Sequence, residues 1–288
     1  MGQQVGISSF NPTAATVSRD AVHGSSRDRG VMGRKRHREA TVTLDHLMTI
    51  DPNAVSFAGA DRYGYFYLKR IIDLVLTAFA LITLLPLMII IAILICLDSS
   101  GPAIFVQKRV GARRRYYNGK PYWQRVEFNF YKFRSMRQNA DTDLHEKFVA
   151  AYISGDTNKM AEIQPDEEKK GEFKLSRDPR VTKIGHFLRK TSLDELPQLW
   201  NVLQGDMSLV GPRPAIPYEV EQYQPWHMQR FATMPGITGP WQVSGRSQVT
   251  FDDMVRLDVR YTQTQSVWQD IGIILWTLPS AFIGKGAR

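Results

Sequence analysis

The chain has 288 residues, 37 Lys and Arg against 28 Asp and Glu for a formal charge of +9, and one cysteine. The lone Cys96 lies inside an apolar run, which excludes an intrachain disulfide, a cysteine zinc site and a thiol nucleophile, and fits a reducing compartment. The basic balance suits a phosphate-bearing partner: an anionic membrane surface, a phosphorylated substrate or nucleic acid.

Residues 1–60 read as a basic leader rich in Ser, Gly, Ala and Thr, with the cluster Arg34-Lys35-Arg36-His37-Arg38. They show no sustained hydrophobic period, so disorder is expected. No apolar core closely follows the first charges, as a secretory signal requires, and Met1-Gly2-Gln3-Gln4-Val5-Gly6 lacks the Ser or Thr of a myristoylation signal. The cluster fits either a solvated tail or a tether to anionic lipid.

Residues 61–100 contain the apolar run Ile71 to Leu97, whose one charge is Asp73. As a straight helix it measures roughly 40 Å, enough to cross a hydrocarbon core of about 30 Å. Two features favour a re-entrant helix over a simple span. Pro86 falls near the middle, where it removes a backbone hydrogen bond and bends the helix. Arg62, Lys69 and Arg70 precede the run and Lys108, Arg109, Arg113, Arg114 and Arg115 follow it, so the positive-inside tendency places both flanks on one side. A slightly kinked span remains the competing reading.

Residues 101–288 read as a mixed globular region. Gly101-Pro102 makes a turn, Ala103 to Gln107 a short strand, and Val126 to Phe133 alternates in the strand manner, giving a hairpin across Asn118-Gly119. Residues 141–170 are charged and weakly helical, as a surface insertion would be. Val181 to Lys190 and Pro197 to Leu203 read as helices, the second closed by Gly205. Ile271 to Ile283 is too short to span; with Trp268 and Trp276 it suits an interfacial helix or a core helix. The expected class is α+β, mainly helical with a small β-hairpin or sheet, one membrane helix and interfacial helices.

The densest chemistry lies in Arg189-Lys190-Thr191-Ser192-Leu193-Asp194-Glu195-Leu196-Pro197 and in Gly211-Pro212-Arg213-Pro214. Pro197 favours a first helical turn, so Asp194 and Glu195 are expected at a helix N-terminus, which suits a phosphate, a bridging divalent cation or a simple cap. A capping box between Ser192 and Glu195 accounts for the same residues without chemistry. Lys132, Arg134, Arg189 and Arg213 supply cations for a diphosphate, and Pro212 and Pro214 stiffen the backbone around Arg213.

Five motifs together resemble the bacterial sugar transferase family, the monotopic phosphoglycosyl transferases: Lys132 to Met136, Arg177 to Gly185, Leu188 to Leu199, Gly205 to Pro214 and Pro235 to Gly239. The resemblance covers about Tyr65 to Arg288. It implies transfer of a hexose 1-phosphate from a UDP-sugar, with UDP-glucose or UDP-galactose as donor, to undecaprenyl phosphate with release of UMP. By analogy Asp194 is the nucleophile forming an aspartyl phosphosugar, Glu195 helps hold Mg²⁺, and Arg189 and Arg213 contact phosphate. The implied setting is the cytoplasmic face of a bacterial inner membrane, at the start of exopolysaccharide, capsule or O-antigen synthesis. The family's re-entrant helix bends at a Ser-Pro pair; here the pair is Leu85-Pro86, with Thr83 the nearest upstream hydroxyl. The family's longer members carry extra spanning helices upstream and residues 1–60 have none, which reads as a short form. Two other classes stay in view: a membrane-tethered nucleic-acid-binding protein, which lacks any recognisable binding motif, and an inactive partner of a synthase complex, against which the intact Asp-Glu pair argues. A homo-oligomer is left open.

Overall fold

The computed structural model describes residues 43–137, 143–163, 180–244 and 250–282. In chain order the elements are α1 (Leu44–Ile50), β1 (Ala54–Ser56), α2 (Tyr63–Asp98), β2 (Ile104–Tyr117), β3 (Lys120–Phe133), α3 (Asp143–Ser154), α4 (Thr157–Ile163), α5 (Lys183–Thr191), α6 (Gln198–Gln204), β4 (Ser208–Val210), α7 (Pro217–Glu221), β5 (Gly236–Thr238), α8 (Pro240–Ser244), α9 (Phe251–Thr264) and α10 (Val267–Phe282). Tight 3-10 turns cover Leu193–Glu195 and Pro225–Phe231. This is the expected α+β class. The Arg34 to Arg38 cluster and Arg177 to Pro179 of the second motif lie outside the described residues.

The hairpin forms where Asn118 and Gly119 both take positive φ, 48° and 76°, the geometry of a two-residue turn matched to strand twist. From it β2 and β3 pair without a slip from Tyr117↔Lys120 to Ile104↔Phe133, so each strand runs 14 residues, well beyond the short strand expected. The other edge of β3 is covered by β1, through Ala54↔Gln124 and Ser56↔Trp123. Helix α1, capped by Thr43 and anchored by buried Leu47, completes this corner. The expectation of disorder up to residue 60 is therefore corrected for residues 43–60: a capped seven-residue helix and a short strand paired at Ala54 and Ser56 are built here, with Leu47, Ala54 and Ala60 buried, without needing a long hydrophobic period.

Helix α2 has 36 residues, about 54 Å if straight. Its helical run passes through Pro86 without interruption, so that residue lacks the N–H of one backbone hydrogen bond within a continuous helix. The helix is long and apolar enough to cross a membrane, with Phe79, Ile82 and Leu97 among its exposed apolar side chains. Lys69, Asp73 and Thr77 form a buried polar stripe at one-turn spacing near its start. Lys69 Nζ pairs with Asp270 of α10 at 2.8 Å, Arg70 donates to the terminal carbonyls of Val202 and Leu203 on α6, and Asp73 accepts from Leu209 N–H at 3.1 Å. At the far end Ile91 and Ile95 pack on Phe133 and Leu188, and Asp98 accepts from Ile184 N–H at 3.1 Å. Both ends of α2 are thus fastened to the same body.

The main core joins the sheet to the helices through Trp123, Phe148, Tyr152, Phe231 and Phe251. Phe148, Tyr152 and Met160 come from α3 and α4, so the described part of the expected surface insertion packs into this core, its apolar residues spaced along one helical face. Helix α10 divides its surface: Asp270 and Ile273 are buried, while Trp268, Leu275 and Trp276 are exposed.

Candidate active site

Three segments converge to build the site. The first is the end of β3, where Lys132 pairs in register with Phe105 of β2. Past it, residues 135–137 are zipped to the start of α5: Thr182 N–H donates to Ser135 O at 3.1 Å, Arg137 N–H to Arg180 O at 2.9 Å, and Met136 bridges Val181. Gly185 makes this approach feasible, since a Cβ there would sit 2.1 Å from the Ser135 carbonyl oxygen.

The second segment is the turn after α5. Ser192 takes the left-handed conformation, φ 57°, and its N–H returns to the Leu188 and Arg189 carbonyls. The chain then enters the Leu193–Glu195 turn directly, with Pro197 as the residue before α6. Asp194 and Glu195 consequently occupy a separate turn rather than the first turn of α6, and the Ser192 side chain makes no capping bond. The sequence-level capping-box reading is corrected: a left-handed Ser192 cannot also serve as an extended N-cap.

The third segment is the loop Gly211 to Pro214, which follows β4. Strand β4 pairs in parallel with β5, Gly236 N–H donates to Pro212 O at 2.9 Å, and Val110 and Ala215 exchange backbone bonds. Behind the loop, Arg230 of the second 3-10 turn donates to the Arg213 carbonyl at 3.4 Å and forms a buried ion pair with Asp258 of α9.

These elements bring Lys132, Asp194, Glu195 and Arg213 together. Glu195 Oε1 accepts from Lys132 Nζ at 3.1 Å and from Arg213 Nη2 at 3.0 Å, and Lys132 Nζ lies 3.8 Å from Asp194 Oδ2. The four side chains are between 11% and 21% exposed, so a ligand can reach a set of charges that is largely shielded from water. Burial pushes the Lys132 ammonium down to about 8, against the pull of Glu195. Burial acts in the same direction on Arg213, but Glu195 and Asp194 outweigh it and hold Arg213 above its ordinary value.

Arg189 sits in the last turn of α5 and donates through Nε to Ser135 Oγ at 3.0 Å. Arg134 is placed elsewhere. Its buried guanidinium donates to the carbonyls of Ile95, Ser99 and Ser100, at and just beyond the C-terminal end of α2. The expectation that Arg134 binds phosphate is therefore corrected: those carbonyls claim it as a helix cap. Pro86 lies far along α2 and takes no part in the site.

One residue beside the site is hidden in the sequence among the basic residues that follow the apolar run. Arg109 shares the β2–β3 face that carries Lys132, alternating with Gln107 opposite Phe128 and Phe130. Its guanidinium lies 5.2 Å from the Phe130 ring centroid and Lys132 Nζ lies 5.4 Å from the same centroid. Strand alternation from Lys132 back through Phe130 was the signal that could have found it. For a metal, the described residues contain no converging group of three or more His, Cys, Asp or Glu side chains. The adjacent Asp194-Glu195 pair still fits Mg²⁺, which commonly takes one or two carboxylates and completes its shell with water and substrate phosphates.

The geometry defines a class: an α+β protein with a cation-clamped carboxylate pair, built on a body that holds both ends of a long apolar helix. Residues 64–284 match the family described as bacterial sugar transferase, and the chain belongs to that family. It is 43% identical over 230 residues to the galactosyl transferase CpsE of Streptococcus agalactiae serotype III, covering 79% of this chain and 45% of that protein. It is 42% identical over 221 residues to the undecaprenyl-phosphate galactose phosphotransferase of Salmonella typhimurium, covering 77% and 42%. It is 36% identical over 221 residues to the exopolysaccharide production protein ExoY of Rhizobium meliloti, covering 76% and 87%. The chain thus matches less than half the length of the first two relatives and most of the third.

Proposed function

We propose that this chain transfers a hexose 1-phosphate from a UDP-sugar to undecaprenyl phosphate, releasing UMP and initiating a bacterial surface polysaccharide. The observation that carries the reading is the clamp on Glu195 by Lys132 and Arg213, with Asp194 in the adjoining position. A carboxylate attacks a diphosphate poorly because like charges repel; two unit charges about 4 Å apart interact by about 4 kcal/mol at an effective dielectric of 20. Two cations beside two carboxylates offset that repulsion on the approach of the substrate.

In the first half of the reaction an Asp194 carboxylate oxygen attacks the phosphorus that bears the sugar. The P–O bond to UMP breaks and UMP leaves with that electron pair. In the second half a phosphate oxygen of undecaprenyl phosphate attacks the same phosphorus, the bond to Asp194 breaks, and the free carboxylate returns. Lys132 and Arg213 orient Glu195 and meet charge on the transferring group. Glu195 is the residue that would hold Mg²⁺, which when bound supplies further charge neutralisation on the diphosphate. Arg189, steadied by Ser135, is a second phosphate contact.

The apolar exposed length of α2 supports a membrane location, and the fastening of both its ends to one body supports entry and return on the same face. A soluble nucleotide sugar and a lipid phosphate can then meet at Asp194 on the cytoplasmic side. Galactose is the sugar in the names of two relatives, so UDP-galactose is the first donor to test, with UDP-glucose the other candidate. Purified full-length chain with Mg²⁺, UDP-galactose or UDP-glucose, and undecaprenyl phosphate should release UMP continuously and form a lipid diphosphate sugar. Absence of UMP with every donor, including N-acetylated UDP-sugars, contradicts the reading.

A further inference from the structure

We propose that Arg109 is a third donor-binding cation, one that takes a phosphate oxygen of the nucleoside diphosphate; this deepens the transferase reading and rests on it. Lys132 and Arg213 are each committed to Glu195, at 3.1 and 3.0 Å. Arg109 has no carboxylate within ion-pair distance among the described residues. Its Nε donates to Gln107 Oε1 at 3.1 Å and its Nη1 to Pro214 O at 3.2 Å, leaving Nη2 without a protein acceptor among the described residues. Glu219, an acid whose field reaches it, uses Oε2 to accept from Ile216 N–H at the start of α7.

The placement of Arg109 is as specific as its charge. The Pro214 carbonyl that anchors it follows Arg213 directly, and the Phe130 ring that it shares with Lys132 ties it to the other clamp residue. Arg109 is therefore tied to the backbone beside Arg213 and to the ring that Lys132 also contacts. Asp194 and Glu195 lie against Lys132 and Arg213, whereas the acid that acts most on Arg109 is Glu219, which makes no ion pair with it among the described residues. A partly dehydrated, unpaired guanidinium is costly to keep unless an anion arrives to complete its hydrogen bonds. Burial lowers Arg109 to about 10, which leaves it cationic at neutral pH. With Nε and Nη1 held by Gln107 and Pro214, Nη2 is the nitrogen left to donate to a phosphate oxygen.

The test compares full-length wild type with Arg109→Gln and Arg109→Lys in phospholipid nanodiscs. It reads UDP binding by calorimetry and UMP release from UDP-galactose with Mg²⁺ and undecaprenyl phosphate. Arg109→Gln should weaken UDP binding about tenfold or more and raise KM for the donor by a similar factor. KM for undecaprenyl phosphate should stay unchanged, and Arg109→Lys should fall between wild type and Arg109→Gln. Unaltered UDP affinity in Arg109→Gln, or equal losses toward donor and lipid acceptor, overturns the assignment, as does a wild type that binds no UDP. If UDP binding depends on Arg109 while no donor yields UMP, the transferase reading fails and the diphosphate site stands. A variant that misfolds is recognised by loss of the wild-type melting transition, and Arg109→Lys then carries the comparison.

Discussion

Lys132 is the residue on which the electrostatics of the site turn. It touches both carboxylates, and burial brings its ammonium down to about 8. Raising the pH through that value removes the proton and with it one of the two cations on Glu195, so activity is lost on the alkaline side. We predict that kcat/KM for the donor falls with an apparent pKa near 8, because this ratio reports the free enzyme. Lys132→Arg should move the fall well above pH 9, since guanidinium does not titrate there; an alkaline limb that stays at the same pH in Lys132→Arg contradicts the assignment. Lys132, Asp194, Glu195 and Arg213 were legible in the sequence because they lie in motifs that combine acids, cations and turn-forming prolines. The places of Arg134 and Arg109 were not legible, for opposite reasons. Arg134 sits two residues from Lys132, but β3 ends at Phe133, and the exposed carbonyls of a helix distant in sequence claim its guanidinium. Arg109 reads only as one of the basic residues after the apolar run until strand register places it on the face that carries Lys132.

Among the elements, the junction of α2, β3 and α5 determines whether the site is assembled. Arg134 N–H also donates to Ala103 O at 2.8 Å, so one residue ties the end of α2 to both the hairpin and the connection toward α5. Arg134→Met keeps most of the buried volume but removes the charge-assisted bonds to the Ile95, Ser99 and Ser100 carbonyls, each worth about 1.5–3 kcal/mol. Thermal unfolding in detergent should show a clearly lowered midpoint, with UMP release reduced in parallel; an unchanged midpoint would show that α2 does not depend on this cap. Helices α5 and α6 and the Asn118-Gly119 turn were readable from caps, periodicity and turn chemistry. The full length of β2 was not, because Lys108 to Arg115 looks like a basic loop until its pairing with β3 is known. Helices α3 and α4 were underestimated because charged residues dilute the few apolar ones that reach the core.

For the whole molecule, the ends of α2 make a topological statement. Lys69, Arg70 and Asp73 at one end and the Arg134-bound carbonyls at the other belong to a single body, which supports the proposal that the helix enters and returns on one face. In a Cys96→Ser background, cysteines at Ala58 and Lys120, both exposed, should react with an impermeant thiol reagent from the same side of the membrane. Labelling from opposite sides would restore a simple span. The central claim, that Asp194 carries the sugar phosphate between two substrates, is tested most directly without the lipid acceptor. Full-length protein incubated with UDP-galactose, or with the donor that supports turnover, and Mg²⁺ should release about one equivalent of UMP while the peptide containing Asp194 gains the mass of a hexose phosphate. Undecaprenyl phosphate should then remove that mass, and Asp194→Asn should show neither the burst nor the adduct. Full turnover by Asp194→Asn, or UMP release that always requires the acceptor and leaves no adduct, would contradict the account.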